Sequence, residues 1–209
     1  MCAKNYKEVE RDIPIIDEVD VLVVGGGPSG VAAAVNAAEE DADTLLIERY
    51  GFFGGMNVAG LSGTIAGLYD CSKEDDYNQI IQGFASKFVN RLDERDGLAD
   101  PVPFSTSVLI PHDPMVWKET ADDFIMDSGA DVLFHTYFSD VIMEKNKVKG
   151  AVIENKNGRS AILAETVIDA TGDGDVSYKA GAPFVFGEEG EIQYPTAVFR
   201  MTNVDWNKV

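Results

Sequence analysis

Cysteine and histidine are nearly missing from this chain, with two of each in 209 residues. Cys2 and Cys71 form no CxxC pair and no metal-ligand spacing, so a disulfide framework and a zinc or iron–sulfur site built from this chain's own cysteines are excluded. A reducing compartment is the default, and a cytoplasmic location is expected. His112 and His135 stand far apart in sequence and suggest no metal site. Basic residues are also scarce, 17 against 36 acidic ones, for a formal net charge of −19. Such a surface repels nucleic acid and anionic membrane. No apolar stretch approaches the ~20 residues of a membrane-spanning helix. The first residues, Met1-Cys-Ala-Lys-Asn-Tyr-Lys-Glu, hold no apolar core of a signal peptide.

Apolar residues are not scarce: they make up 45% of the chain, which is ample for a buried core. The most informative stretch is Val21-Leu-Val-Val-Gly-Gly-Gly-Pro-Ser-Gly30. Four apolar residues run into Gly25-x-Gly27-x-x-Gly30, and an alanine-rich segment follows. This reads as a buried strand, a tight turn and a helix. Gly25 permits the turn, Gly27 leaves room for a pyrophosphate, and Gly30 lets the helix lie close to the strand. Pro28 suits the first helical turn, and the N–H groups around Ser29 are free to face phosphate. Because the surface is so acidic, backbone N–H groups must do most of the phosphate holding. Asp43–Ile47 reads as a second strand. It ends at Glu48, where a carboxylate can accept hydrogen bonds from an adenosine ribose.

Six glycines then fall between Tyr50 and Gly67, at 51, 54, 55, 60, 63 and 67. That density predicts a loop whose backbone is pressed against something. Asn78 to Arg95 has apolar residues at helical spacing and predicts one amphipathic helix. Asp113-Pro114 predicts a capped helix ended by Gly129, with Trp117 and Phe124 in its buried stripe. His112, just before that cap, reads as structural. Strands are predicted at 131–135, 138–145, 148–155 and 160–163, with turns at Asn146-Lys147 and Asn157-Gly158. A further buried strand, Glu165–Ala170, leads into Thr171-Gly-Asp-Gly-Asp175 and a helix over about 175–181.

Taken together, Gly25-x-Gly27-x-x-Gly30, Glu48-Arg49, Gly54-Gly55 and Asp169-Ala-Thr-Gly-Asp-Gly-Asp175 resemble the FAD-dependent oxidoreductases, distant relatives of the fumarate reductase and succinate dehydrogenase flavoproteins. Ala180-Gly-Ala-Pro183, Tyr194-Pro-Thr196 and Phe199-Arg-Met201 are similar too. The resemblance implies an α/β, Rossmann-like FAD-binding domain of glutathione-reductase type, a parallel sheet plus β-meander, followed by the start of a truncated cap. The expected layout is an arm at 1–18, an FAD domain at 19–184 with a helical insertion at about 70–112, and cap from 185 to 209. Cofactor contacts are expected from Gly25, Gly27, Pro28, Ser29, Gly30, Glu48, Arg49, Gly54, Gly55, Met56, Ala170, Thr171, Gly172 and Asp173. The resemblance adds backbone contacts from Val141, or its neighbour Asp140, to the adenine.

Arg200, in an apolar strand-like stretch, is the candidate for binding a substrate carboxylate or the flavin; no general acid stands out. The implied activity is hydride or electron transfer with a small organic substrate. The alternative is an FAD-binding electron-transfer or structural component of a larger redox complex. The resemblance also implies a longer protein. Either a second polypeptide completes the cap and flavin site, which is the reading expected here, with an electron-transfer partner beside it, or the chain is a truncated product that cannot turn over alone. Some distant relatives attach FAD through a histidine in the glycine-rich loop, and no histidine lies between Glu48 and Gly67. The FAD is therefore expected to be non-covalent: denatured protein should give the mass of the chain alone, and a retained flavin adduct in the mass spectrum would refute this.

Overall fold

The computed structural model describes residues 7–70, 78–104, 107–187, 191–205 and 208. Strand β1 (Ile15–Val24) leads into helix α1 (Pro28–Glu39) and strand β2 (Thr44–Ile47). A short helix α2 (Gly55–Val58) and strands β3 (Thr64–Ala66), β4 (Tyr69–Asp70) and β5 (Asn78–Gln79) follow. Helix α3 (Phe84–Asp93), strands β6 (Val102–Phe104) and β7 (Ser107–Pro111), and helix α4 (Pro114–Ser128) come next. Strands β8 (Asp131–Leu133), β9 (Tyr137–Glu144), β10 (Lys147–Asn155) and β11 (Gly158–Asp169) then lead to helix α5 (Asp175–Lys179).

The main sheet has six strands in the order β8-β2-β1-β11-β10-β9. β8, β2, β1 and β11 run parallel, and β9 and β10 extend the sheet as an antiparallel meander. β1 shows why. Its alternate side chains serve both faces of the sheet, as a strand buried on both sides requires. Val23 joins Val31, Ala34, Val35, Leu46, Trp117 and Phe124 under α1 and α4. Leu22 and Val24 join Leu45, Ile47, Ile153, Ile162 and Val176 on the opposite face.

The cap signals are realised in α4, where Asp113 Oδ1 accepts the Met115 N–H at 2.7 Å and Gly129 closes the helix in the left-handed conformation. Phe84, Phe88, Phe124 and Trp117 form an aromatic cluster between α3 and α4. Arg91 of α3 and Arg95, just past its end, both reach Asp123 of α4 at the wet edge of the pair.

Four sequence expectations change. The arm is shorter than residues 1–18, because β1 already begins at Ile15, opposite Ala161 of β11. The start of β1 is exposed, so it lacks the buried pattern that marks the rest of the strand. The helix expected from Asn78 starts only at Phe84, since Gly83 sits at φ +70° and turns the chain into it. Ile80 and Ile81 instead donate their N–H groups to Leu68 O. The region 70–112 is thus only partly helical: it also holds β5, and β7 pairs with both β3 and β6 in a three-stranded sheet. Residues 71–77, Cys71 among them, lie outside the described residues.

The strands expected at 160–163 and 165–170 are one strand. β11 pairs with β10 along its first half and with β1 along most of its length, because no turn residue interrupts Leu163-Ala164-Glu165. No helix among the described residues is long and apolar enough to cross a membrane.

Leu46 is fully buried between β1, α1 and α4. Leu46→Ala should cost ~2–5 kcal/mol in urea unfolding, whereas Ile16→Ala, at an exposed position, should stay within about 0.5 kcal/mol.

Candidate functional site

Three turns meet at the carboxyl ends of the parallel strands: Gly25–Gly30 after β1, Glu48–Gly55 after β2 and Ala170–Asp175 after β11. This is where the order of the sheet reverses about β1, the crevice in which open α/β sheets bind ligands. The turns enclose a cleft of about 460 Å³.

The glycines are there because backbone meets backbone. Gly25 has φ +104°, and a side chain on it would begin 2.5 Å from the Ala170 carbonyl oxygen. Gly30 is blocked by the carbonyl of Gly25, which is how α1 comes so close to the end of β1. Gly54 donates its N–H to Gly26 O at 2.9 Å. A side chain on Gly55 would begin 3.0 Å from Gly27 Cα. The dense glycines of the loop are therefore explained in part by the first glycine turn itself, against which Gly54 and Gly55 are pressed.

Glu48 is buried. Its Oε2 accepts the Gly26 N–H at 2.6 Å and its Oε1 accepts the Tyr50 N–H at 2.8 Å. The carboxylate thus ties β2 to the glycine turn while still lining the cleft. Two backbone hydrogen bonds leave it with acceptor capacity to spare.

Asp169 was not singled out from sequence as a site residue. Its Oδ1 accepts from the Thr171 N–H and hydroxyl at 3.2 and 2.7 Å, and its Oδ2 from the Ser177 N–H and hydroxyl, both at 2.8 Å. Burial pushes this carboxyl up, but the bonds from Ser177 and Thr171 outweigh it and hold it below the usual carboxylate range. Asp169 therefore shapes the third turn without lining the cleft. Asp-Ala-Thr-Gly at the end of a strand that is half-buried there is the signal that could have found it, because an acid beside a core needs donors around it.

Most of the expected cofactor residues come together. Gly25, Gly27, Pro28, Ser29, Glu48, Arg49, Gly55, Met56, Ala170, Thr171, Gly172 and Asp173 line the cleft. Gly30 and Gly54 stand behind it, in the contacts just described. Val141 is not brought there. It lies within β9 opposite Ala151, its side chain packs on the lower core, and its N–H is held by Asp140 Oδ1. The wall on that side is made by Thr136, Tyr137 and Phe138, where β9 begins. Arg200 also lies outside the cleft lining. The stretch around it forms no strand, and Arg200 is exposed. Tyr50, at the cleft mouth, carries the Arg49 guanidinium over its ring at 4.9 Å and stacks on Phe52.

These residues suit a long dinucleotide. α1 has no side-chain cap and no acidic residue in its first turn, so its free N–H groups and the positive end of its dipole face the cleft. A side chain on Gly27 would meet nothing nearer than Gly55 Cα at 3.8 Å, so the space above Gly27 is open to a ligand. A strand, an uncapped helix with a glycine turn, an acid ending the second strand and a third turn at their flank define a dinucleotide-binding domain of the flavoprotein type.

Comparison with known proteins narrows the class. Residues 20–209 match the family described as FAD dependent oxidoreductase, and the chain belongs to that family. Its cofactor is FAD. The thiamine thiazole synthase of Methanococcus vannielii is 34% identical over 164 residues, covering 74% of this chain and 56% of that protein. The thiamine thiazole synthase of Methanococcus aeolicus is 34% identical over 167 residues, covering 74% and 55%. The chain thus spans about half the length of these relatives.

Among solved structures, a geranylgeranyl bacteriochlorophyll reductase-like protein from Thermoplasma acidophilum shares the fold with a TM-score of 0.57 at 24% identity, over 79% of this chain and 42% of that one. THI4 from Thermovibrio ammonificans gives 0.54 at 24%, over 78% and 61%. A flavocytochrome c3 fumarate reductase in its open conformation gives 0.55 at 19%, over 74% and 34%.

Because the folded value of Asp169 is depressed, the order it lends the third turn is complete above the ordinary carboxylate range and is lost as pH falls through that depressed value, below about pH 4. Asp169→Asn, with one oxygen replaced by a donor, should weaken FAD retention at neutral pH by about tenfold. Wild-type retention should stay flat from about pH 8 to about pH 5. Flavin fluorescence after gel filtration measures both.

Proposed function

We propose that this chain is the FAD-binding part of an oxidoreductase that exchanges a hydride or electrons with a small organic substrate, and that it holds FAD without a covalent link. The observation that carries the reading is the meeting of three glycine turns around one uncapped helix N-terminus.

The chain's own residues divide the work. The N–H groups at the start of α1 bind the pyrophosphate. Glu48 takes the ribose hydroxyls with its unused acceptor positions while its other bonds keep the glycine turn closed. Arg49 and Tyr50 flank the mouth beside it. Thr171 to Asp173, in the turn that Asp169 shapes, support the ribityl end. Gly55 and Met56 bring bare backbone alongside the cofactor. Bound FAD supplies two-electron chemistry, and the protein orients the partner and keeps water away.

We further propose that a second stretch of polypeptide completes the flavin side. Phe184, Val185, Phe186, Tyr194, Phe199 and Met201 are all exposed, as expected of the start of a cap still lacking its partner. A separate subunit is the form we favour, and an electron-transfer partner on another chain would fit the same architecture. The 34% identity to thiamine thiazole synthases favours thiazole formation as a second reading, checked by mass spectrometry of small molecules released from the protein.

The main reading is tested on protein purified from its native source. A yellow preparation, bleached anaerobically by a reduced organic donor and accompanied by a stoichiometric partner, is the expected result. A stable flavin-loaded monomer on size exclusion would sink the separate-subunit form. Bound flavin that no donor reduces would point to an electron-transfer or structural role instead.

A further inference from the structure

Arg200 and His112 both adjoin Gly63, beside α2 and outside the lining of the cleft. In a chain of net charge −19 most of the arginines find a carboxylate. Arg11, Arg91, Arg95 and Arg159 do. Among the described residues, Arg49 and Arg200 have no such ion pair, and Arg49 lines the cofactor cleft. The Arg200 guanidinium lies against bare backbone, its Nη2 4.0 Å from where a side chain on Gly63 would begin. The Gly63 carbonyl accepts the His112 N–H at 3.0 Å.

His112 is 7% exposed. Its Nε2 lies 3.2 Å from the Asn57 carbonyl. That oxygen can only accept, so Nε2 carries the proton in the neutral ring and Nδ1 is left as a bare lone pair. Nδ1 is buried and has no hydrogen-bond partner. A buried polar atom without a partner is costly and calls for an explanation. α2 links this pair to the cofactor: Gly55 and Met56 line the cleft, and Asn57 of the same turn holds the imidazole.

We propose that Arg200 and His112 form a subsite for the carboxylate of an organic acid, the substrate class of the FAD site next to it. The proposal rests on the FAD reading of the cleft. The guanidinium fork offers paired donors matched to a carboxylate. Arg200 is exposed, and in the proposed subsite its side chain carries the anion from solvent to Nδ1. There the anion stabilises the imidazolium: one proton is taken from solvent on binding, sits on Nδ1, and is donated to the carboxylate.

Three groups face the ring besides the anion. Burial lowers its proton affinity most, the Asn57 carbonyl raises it, Arg200 lowers it and Asp113 raises it, leaving it below the ordinary histidine value. Asp113 is occupied as the cap of α4. An uncharged ring at neutral pH that gains a proton with its ligand makes binding tighten as pH falls.

The chain has two histidines, so the imidazole resonances of ¹⁵N-labelled protein incubated with FAD and freed of unbound flavin read the site directly. Glycolate is the probe, titrated at about pH 5.5 and about pH 7.5. His112 should shift saturably toward the imidazolium pattern, more tightly at the lower pH, with His135 unmoved. Arg200→Gln should weaken binding at least about tenfold, and Arg200→Lys should restore part of it. His112→Gln, which can still donate to Asn57, should abolish the pH dependence and keep the Arg200-dependent part. Equal shifts of both histidines, unchanged affinity in Arg200→Gln, or pH-independent binding would each overturn the subsite. Flavin absorbance of the same samples reports the cofactor reading separately: protein that binds glycolate as described but no flavin refutes that reading and leaves the subsite standing.

Discussion

The structure depends on backbone being allowed to touch backbone at the carboxyl ends of β1, β2 and β11. Gly25 lies against Ala170, Gly30 against Gly25, and Gly55 against Gly27. A methyl group on Gly25 or Gly55 would push two turns apart, and one on Gly30 would lift α1 from the end of β1. The cost would be more than local, because the same approach sets α1 on the sheet and aims its free N–H groups into the cleft. The upper core of Val23, Val31, Ala34 and Leu46 is shaped by that approach as well. Packing and ligand geometry therefore share one constraint.

Two carboxylates hold this arrangement from inside. Glu48 ties the end of β2 to the first turn, and Asp169 ties the end of β11 to the start of α5. Each satisfies backbone donors that would otherwise compete for a ligand's oxygens. A very acidic protein can hold an anionic cofactor this way, since its acids point at backbone N–H groups and leave the helix N-terminus free. Among the described residues, Arg49 and Arg200 form no ion pair with a carboxylate, and the Arg49 guanidinium lies over the Tyr50 ring.

Much of this was legible from residue order. The strand, the three glycines, the helix and Glu48 follow one another within a short span, and local chemistry forces each step. The helix from Asp113 to Gly129 was legible for the same reason: its cap and its stop are local. Less legible were the elements whose limits are set by distant partners. The opening of β1 is exposed and exists because Ala161 pairs with Ile15. Gly83 ended the apparent periodicity from Asn78 by taking a positive φ that the pattern could not reveal. A backbone contact to the adenine was assigned by resemblance to Val141 or its neighbour Asp140; neither lines the cleft, and the Val141 side chain packs on the core.

Sequence alone decided the class of chemistry, because glycine spacing and an acid at a strand end are requirements of close approach and hydrogen bonding that no other residues meet. The tertiary structure alone decided what each residue touches. Glu48 serves the turn as well as the cleft, Asp169 has four donors, and Gly63 has His112 on its carbonyl and Arg200 near its Cα. These are facts of register and of distance through space. A linear pattern holds no record of which of two remote segments will be neighbours once the sheet has closed.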